Sequence, residues 1–217
     1  MHIWHRGNNR ARIFLAEHDY RHYVTCMEEL LPRGDCDLHA FALMPNHIHL
    51  LLTPNTERSA STFMQRLEQR HAQFFNRYNK RTGALYEGRF KSSVIEYSDY
   101  LFNCYRYIEL NPVRAKLVDH PSEYTWSSYR SNAEGALSFL LKPHRLFTQL
   151  GDEDESRRAA YRAMFRKALD EETLHEMRGT SRGEIALGSP AFKVRFTPRG
   201  LTPGSDPDSS ADSDPDS

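Results

Sequence analysis

The sequence predicts an α+β protein built on a ferredoxin-like split β-α-β unit, whose antiparallel sheet carries helices on one face. Strand and helix patterns alternate over the first 110 residues in the order β-α-β-β-α-β, which is the order of that unit. The strand candidates are short runs bounded by turn residues, and the helix candidates repeat apolar residues every three or four positions. The other face of such a sheet is free to carry a functional site.

The expected elements follow from turn signals and periodicity. In chain order they are strand 2–6, helix 19–31, strand 38–44, strand 47–53, helix 59–78, an extended segment over 85–96 and helix 99–110. Pro32 ends the first helix, and Pro45 with Asn46 forms the tight turn of a hairpin. The last helix stops at Asn111, because the residue before Pro112 is pushed out of the helical region.

The rest of the chain divides by composition into an extension and a tail. Residues 131–196 contain helical patterns, clearest over 156–169, and predict a mostly helical C-terminal extension. Residues 197–217 contain five aspartates and almost nothing apolar to bury. Such a segment cannot offset its loss of conformational entropy on ordering, so we expect a disordered acidic tail.

Composition excludes several classes of protein. No apolar run approaches the length of a membrane span, and the first residues lack the apolar region of a secretion signal. Three cysteines without a CxxC spacing suit reduced thiols, so we expect a cytoplasmic protein with no membrane partner. The net charge is zero, but without the tail the chain carries about four positive charges, which permits a nucleic-acid partner.

His47 and His49 form the sharpest local signal. Side chains two positions apart on a strand share a face, so both imidazoles point the same way while Ile48 and Leu50 enter the core. Two imidazoles on a rigid strand can hold one divalent ion, although a third ligand is then needed. The alternative is that the two histidines are only polar surface, which is the commoner case for such a pair.

Tyr107 and Asn111 form the second signal. They lie four positions apart on the last predicted helix and share a face that can look across to the two histidines. Tyr105 falls on the predicted buried stripe of that helix, and Tyr100 lies eleven residues, about three turns, from Asn111. Tyrosines on a short helix are usually core or interface residues, so the periodicity alone leaves the role of Tyr107 open.

Five motifs together resemble a known family. They are His5-Arg6-Gly7-Asn8-Asn9-Arg10, Ala42–Leu51 with its Pro45-Asn46-His47-Ile48-His49 core, Tyr86-Glu87-Gly88-Arg89-Phe90, Tyr107-Ile108-Glu109-Leu110-Asn111-Pro112-Val113-Arg114-Ala115 and Trp126-Ser127-Ser128-Tyr129. With them, residues 1–130 resemble the single-tyrosine HUH transposases of the IS200/IS605 type, and within these the REP-associated tyrosine transposases. Residues 1–130 would then be the catalytic domain.

The resemblance implies a chemistry and the residues that carry it. His47 and His49 would ligate Mg²⁺ or Mn²⁺ with Asn111 as the third ligand, and Mn²⁺ suits imidazoles better. Tyr107 would attack single-stranded DNA at hairpin-forming, REP-like repeats and form a 5′-phosphotyrosine link. A phenol is mostly protonated at neutral pH, so its ionisation must be favoured. The phosphotyrosine bond conserves the phosphodiester energy, so strand transfer needs no nucleotide cofactor.

The expected DNA-binding residues are basic or amide side chains near these motifs. They are Arg6, Asn8, Asn9, Arg10, Arg12, Arg66, Arg70, Arg89, Lys91 and Arg114. Family likeness implies that the N-terminal turn, Gly7-Asn8-Asn9, helps to recognise a short guide tetranucleotide beside the DNA hairpin. The arginines of helix 59–78 could follow phosphates, although a charged helix face is more often only solvated.

Two other functions remain open at this stage. The chain could be a DNA-binding protein of the same fold that regulates repeats without cleaving them. It could also be a hydrolase that uses the two histidines and a metal ion to activate water. The oligomeric state is open as well, since attack within one chain needs only a monomer and shared sites need a homodimer.

Overall fold

A single sheet organises the protein in the computed structural model, which describes residues 1–33, 36–97 and 99–196. Its strands are β1 (His2–Arg6), β2 (Cys36–Leu43), β3 (His47–Pro54), β4 (Lys91–Ile95) and β5 (Ala186–Leu187). They are ordered β2-β3-β1-β4-β5. The first three neighbour pairs are antiparallel and β5 runs parallel to β4, so the sheet is mixed.

Helices make up most of the remaining described residues. They are α1 (Glu17–Leu30), α2 (Ser59–Tyr78), α3 (Asp99–Glu109), α4 (Asn111–Arg114), α5 (Tyr129–Glu134), α6 (Arg145–Thr148), α7 (Asp154–Met164), α8 (Glu171–Met177), α9 (Gly179–Arg182) and α10 (Pro190–Phe196). Short 3₁₀ turns cover Asn8–Arg10, Leu31–Arg33 and Pro121–Glu123. No helix in the part of the chain that the structure describes is long and apolar enough to cross a membrane.

Side-chain alternation on β3 divides the core between the two faces of the sheet. Ile48, Leu50 and Leu52 pack into a cluster with the apolar faces of α1 and α2. Leu51 points the other way and joins a second cluster that includes residues of α3, α5, α7 and α8. The period of two along a strand therefore places His47 and His49 on the same face as Leu51, beneath α3.

The predicted α+β class is confirmed, and two details of it differ. Helices cover both faces rather than one, because Ala40, Ala42 and Leu51 give the second face its own apolar surface, which α3 and the C-terminal helices bury. The sheet is not wholly antiparallel, because β5 adds a parallel pair in which Val94 is opposite Ala186. A strand of two residues has no periodicity, so the sequence pattern cannot show it.

Most predicted elements agree with the structure. Strand 2–6 and helix 59–78 coincide with β1 and α2. The extended segment 85–96 contains a strand only over Lys91–Ile95, and Gly88 upstream has a φ of 61° that interrupts extended backbone. The C-terminal region is mostly helical as predicted, and its Tyr161 and Met177 are fully buried against α3. The predicted tail, 197–217, lies outside the described residues.

Candidate active site

The register of β1 against β3 brings a row of rings to one face of the sheet. Trp4 is paired with His49 and Arg6 with His47, so these side chains share the face that α3 covers. His2 continues the row, and its ring stacks on that of His49 at a centroid distance of 5.1 Å. All three histidines of this row are at most 1% exposed. Because buried polar groups need hydrogen-bond partners within the protein, the partners of these imidazoles determine how the rings are held.

Asn111 connects the histidine pair to the helix layer. It is the first residue of α4, directly after the chain leaves α3, and it is fully buried. Its Oδ1 lies 3.3 Å from His47 Nε2 and its Nδ2 lies 3.1 Å from His49 Nε2. The two Nε2 atoms and one carboxamide therefore converge on one point between sheet and helix.

The other nitrogen of each imidazole is held from behind. His47 Nδ1 lies 2.7 Å from Asn46 Oδ1, and His49 Nδ1 lies 2.9 Å from His2 Nε2. Metal-binding histidines usually have one ring nitrogen held by such a partner, which fixes the tautomer and the ring orientation. Burial first, and then the neighbouring cationic forms of His2, His47 and Arg114, hold the pKa of His49 well below its ordinary value. His49 is therefore neutral, as a metal ligand must be.

The donor set fits a divalent cation. A neutral imidazole has one N–H. Asn46 Oδ1 is nearer to the His47 ring than Asn111 Oδ1 is, so His47 carries this proton on Nδ1 and donates it to Asn46. In that tautomer the lone pair of His47 Nε2 lies 3.3 Å from Asn111 Oδ1, and both atoms could coordinate one cation placed beside them. No group of three His, Cys, Asp or Glu side chains within the described residues could hold a metal ion. The fit therefore depends on the amide of Asn111.

Tyr107 lies against the histidine pair. Its ring contacts His49 edge to face at a centroid distance of 5.4 Å and His2 at 5.9 Å. The Arg114 guanidinium lies 4.2 Å from the centroid of the Tyr107 ring, and its Nη1 donates to the Tyr107 carbonyl at 2.8 Å. The structure thus brings together His47, His49, Asn111, Tyr107 and Arg114 of the predicted residues.

The neighbouring Tyr105 points into the helix layer instead. Its ring lies 5.8 Å from that of Tyr161 and 6.2 Å from that of Phe147, and burial raises the pKa of Tyr105. This placement agrees with the buried stripe that the sequence predicts for α3. Tyr105 therefore serves as a matched comparison for Tyr107 on the same helix.

A buried carboxylate anchors the helix that carries Tyr107. Glu109 is fully buried and accepts hydrogen bonds from Ser128 Oγ at 2.5 Å, Asn132 Nδ2 at 2.8 Å and the Tyr161 hydroxyl at 2.7 Å. These donors come from α5, the turn before it, and α7. Burial raises the pKa of Glu109 to about 7 despite the three donors.

Arg6 and Lys91 are two cations near Trp4, which is itself paired with His49 across the sheet. The Arg6 guanidinium is 5.3 Å and the Lys91 ammonium 5.7 Å from the centroid of the indole ring. Arg6 also donates to Glu87 Oε2 at 2.8 Å, and Lys91 donates to the Ser181 carbonyl at 2.6 Å. The Trp4 ring lies 6.5 Å from that of His47, and Arg6 is paired with His47 across the sheet, so Arg6 is next to a candidate ligand and Lys91 is next to Trp4.

The N-terminal turn packs against the hairpin turn that precedes His47. Gly7 N donates to the Asn46 carbonyl at 2.8 Å, and a Cβ on Gly7 would lie 2.0 Å from the Ala11 carbonyl oxygen. Only glycine therefore fits this approach. The predicted DNA-binding residues of this turn are exposed: Asn8, Asn9, Arg10 and Arg12.

Three predicted DNA-binding residues lie away from the histidine pair. Arg66 and Arg70 are on α2, which packs on the opposite face of the sheet, and Arg70 pairs with Glu29 at 2.6 Å. Arg89 is exposed and lines a cavity of about 510 Å³ together with Tyr86 and residues of α2. The structure does not bring these three side chains to the candidate site.

Sequence patterns did not single out the residues that support the site. His2 and Trp4 could have been found from the two-residue period of β1, and Asn46 from its position before His47. Thr180 and Ser93 carry no local signal, because only the tertiary fold brings them to His2. Residues of this kind depend on contacts distant in sequence.

The site thus consists of a buried histidine pair, an amide and a tyrosine on the face of a mixed sheet that α3 covers. The family model described as "Transposase IS200 like" matches residues 1–111, about half of the chain. The chain therefore belongs to the IS200-like transposase family.

Comparison of structures supports the fold. The chain is similar to a REP-associated tyrosine transposase solved with a bound REP hairpin, at 16% identity and a TM-score of 0.52. The match covers 66% of this chain and 84% of that one. No curated protein matches the chain. The fold likeness and the family together identify a transposase with the expected α+β architecture.

Proposed function

We propose that the protein is a metal-dependent HUH single-tyrosine DNA transposase that nicks single-stranded DNA and transfers the cut strand. The observation that carries the proposal is the contact of the Tyr107 ring with an imidazole pair whose Nε2 atoms converge on Asn111. His47, His49 and Asn111 would hold Mg²⁺ or Mn²⁺. When bound, the ion would withdraw charge from the scissile phosphate and orient it for in-line attack.

Tyr107 would be the catalytic nucleophile. Its phenol loses its proton to water and the oxygen attacks the scissile phosphorus, the bond from phosphorus to the 3′-oxygen breaks, and the leaving 3′-oxygen takes up a proton from water. The products are a 5′-phosphotyrosine link and a free 3′-hydroxyl, and the reverse reaction with another 3′-end completes strand transfer without a nucleotide cofactor. The Arg114 cation over the ring favours negative charge on the phenol as it reacts.

The DNA would approach along the row of cations beside the histidine pair. Arg6 and Lys91 can contact backbone phosphates, while the exposed side chains of the N-terminal turn can reach bases. We propose hairpin-forming, REP-like repeats as the substrate, since the similar structure contains a REP hairpin. Tyr107 is 1% exposed, so the side chains that cover its hydroxyl must shift when DNA binds.

The candidate ligands and Tyr107 come together within one chain, which supports attack in cis by a monomer over a homodimer with shared sites. Light scattering of the purified protein with and without hairpin DNA tests this choice. A dimer that is required for cleavage would contradict attack in cis. A transposase that acts on chromosomal DNA would work in the cytoplasm.

A denaturing gel tests the reaction and its nucleophile. The wild type, Tyr107→Phe and the control Tyr105→Phe would be incubated with single-stranded hairpin oligonucleotides from the repeats that flank the gene, with Mn²⁺ or with chelator. We expect a metal-dependent covalent protein–DNA band in the wild type and Tyr105→Phe and none in Tyr107→Phe. Cleavage without an adduct in all three proteins would indicate a hydrolase.

The burial of Tyr107, which keeps its hydroxyl from DNA in this conformation, favours a second candidate function. This is a regulator that binds the repeats and does not cleave them. A non-cleaving protein would bind the same hairpins by gel shift equally well with Tyr107 or phenylalanine, and it would form no adduct under any metal condition. Tight binding together with an adduct would exclude it. The two readouts therefore separate the candidates with one set of variants.

A further inference from the structure

A buried chain of hydrogen bonds leads from His49 to the C-terminal part of the protein. His49 Nδ1 lies 2.9 Å from His2 Nε2, and His2 Nδ1 lies 2.9 Å from the Thr180 hydroxyl. The Thr180 hydroxyl donates to Ser93 Oγ at 2.8 Å, and the Ser93 hydroxyl donates to the carbonyl of Glu184. His2, His49, Ser93 and Thr180 are each at most 1% exposed.

The hydrogen bonds in this series all donate in the same direction, because the series ends on a backbone carbonyl. A carbonyl oxygen only accepts, so the Ser93 proton points to Glu184 and the Thr180 proton points to Ser93. Thr180 Oγ1 must then accept from His2 Nδ1–H. Neutral His2 consequently has a lone pair on Nε2, which accepts from His49 Nδ1–H and leaves the lone pair of His49 Nε2 directed at Asn111.

We propose that Ser93 and Thr180 act through His2 as positioning residues, which hold His49 in the tautomer that presents its Nε2 lone pair as a ligand. The second half of this inference, the ligand role of His49, rests on the proposed metal site. Thr180 belongs to α9, outside the residues that match the family model. The C-terminal extension would therefore complete the site of the family domain.

The tautomers of His2 and His49 can be measured in the metal-free protein. Full-length protein labelled with ¹⁵N-histidine would be studied by NMR at about pH 8, where an ordinary histidine is neutral. We expect both His2 and His49 to carry the proton on Nδ1. Thr180→Val removes the acceptor and should give mixed tautomers at both rings, whereas Thr180→Ser keeps the hydroxyl and should restore the wild-type pattern.

Ser93→Ala provides a second and sharper variant. It removes the acceptor of the Thr180 hydroxyl. The hydroxyl can then donate to His2 Nδ1, which reverses the direction of the hydrogen bonds from Thr180 to His49. His49 should gain population protonated on Nε2. A merely structural role for these residues would change the melting temperature and leave the tautomers of the folded protein unchanged.

Metal affinity supplies the second readout. Titration with Mn²⁺, followed by the electron spin resonance of the free ion, should show a loss of about 10- to 100-fold for His2→Phe and a smaller loss for Thr180→Val. Wild-type His49 protonated on Nε2, or tautomers unchanged in both folded variants, would overturn the positioning role. Changed tautomers with unchanged Mn²⁺ affinity would overturn its link to the ligand.

The two proposals fail in different experiments. If the wild type binds no Mn²⁺, or if His47→Ala binds it equally well, the metal site of the proposed function is wrong. The tautomers of His2 and His49 in the metal-free protein test the hydrogen-bond chain regardless of that result.

Discussion

The Glu109 network makes stability depend on pH in a way that one substitution can test. Burial raises the pKa of Glu109 to about 7 in the folded protein, from an ordinary value of 4.5. A carboxyl whose folded pKa is raised binds its proton more tightly in the folded state. Its contribution to stability is therefore complete below about pH 4.5 and is lost as the pH rises through about 7. The difference corresponds to about 3 kcal/mol.

Tyr161→Phe removes the hydroxyl that donates to Glu109 Oε2. When Glu109 is ionised, the loss of a hydrogen bond to a buried charge should lower the free energy of unfolding by about 1.5–3 kcal/mol. When Glu109 is neutral, near pH 5, the loss should be only about 1 kcal/mol. The variant should therefore be more sensitive to rising pH than the wild type.

Urea unfolding followed by circular dichroism, between about pH 5 and pH 8, measures both effects. Glu109→Gln is the control, because an amide does not titrate and should flatten the dependence of stability on pH over this range. An equal loss for Tyr161→Phe at both ends of the range would refute the argument. So would a Glu109→Gln variant that keeps the slope of the wild type.

Three further predictions concern the site and its boundaries. Lys91→Ala should weaken hairpin binding and reduce the slope of log affinity against log salt by about 1, whereas Arg66→Ala on the opposite face should leave the slope unchanged in a fluorescence titration. Arg114→Ala should slow covalent adduct formation at least about tenfold in a time course, because its guanidinium lies over the Tyr107 ring and favours negative charge on the phenol. Residues 1–130 alone should melt at a lower temperature than the full chain and bind Mn²⁺ more weakly, because they lack Thr180 and Tyr161.

Local pattern was enough for the elements with long or regular periodicity. Helix 59–78 shows apolar residues at helical spacing over its whole length, and the structure has α2 over the same residues. The hairpin was marked by Pro45 and Asn46 between two apolar runs, and β2 and β3 flank that turn. The face shared by His47 and His49 follows from the period of a strand alone.

The rest of the site depends on long-range contacts that no local signal carries. β5 has two residues, and its pairing with β4 depends on where the C-terminal helices return the chain. In the sequence Glu109 is one charged position on an amphipathic helix. In the structure α5 and α7 bury it and supply hydrogen-bond donors to its carboxylate. Arg66 reads as a candidate phosphate contact, and only the fold shows that α2 lies on the face opposite the histidines.

These contacts separate the residues that react from the residues that hold them. The candidate ligands and Tyr107 lie within the segment that matches the family model, and a motif of short range finds them. Their supports, Thr180 behind His2 and Tyr161 behind Glu109, come from beyond residue 130. A buried hydrogen bond left without its partner costs about as much as a cavity in the core, so these supports constrain the site as strongly as its packing does. The C-terminal extension therefore belongs to the site in energetic terms, although the motifs that identify the family end before it.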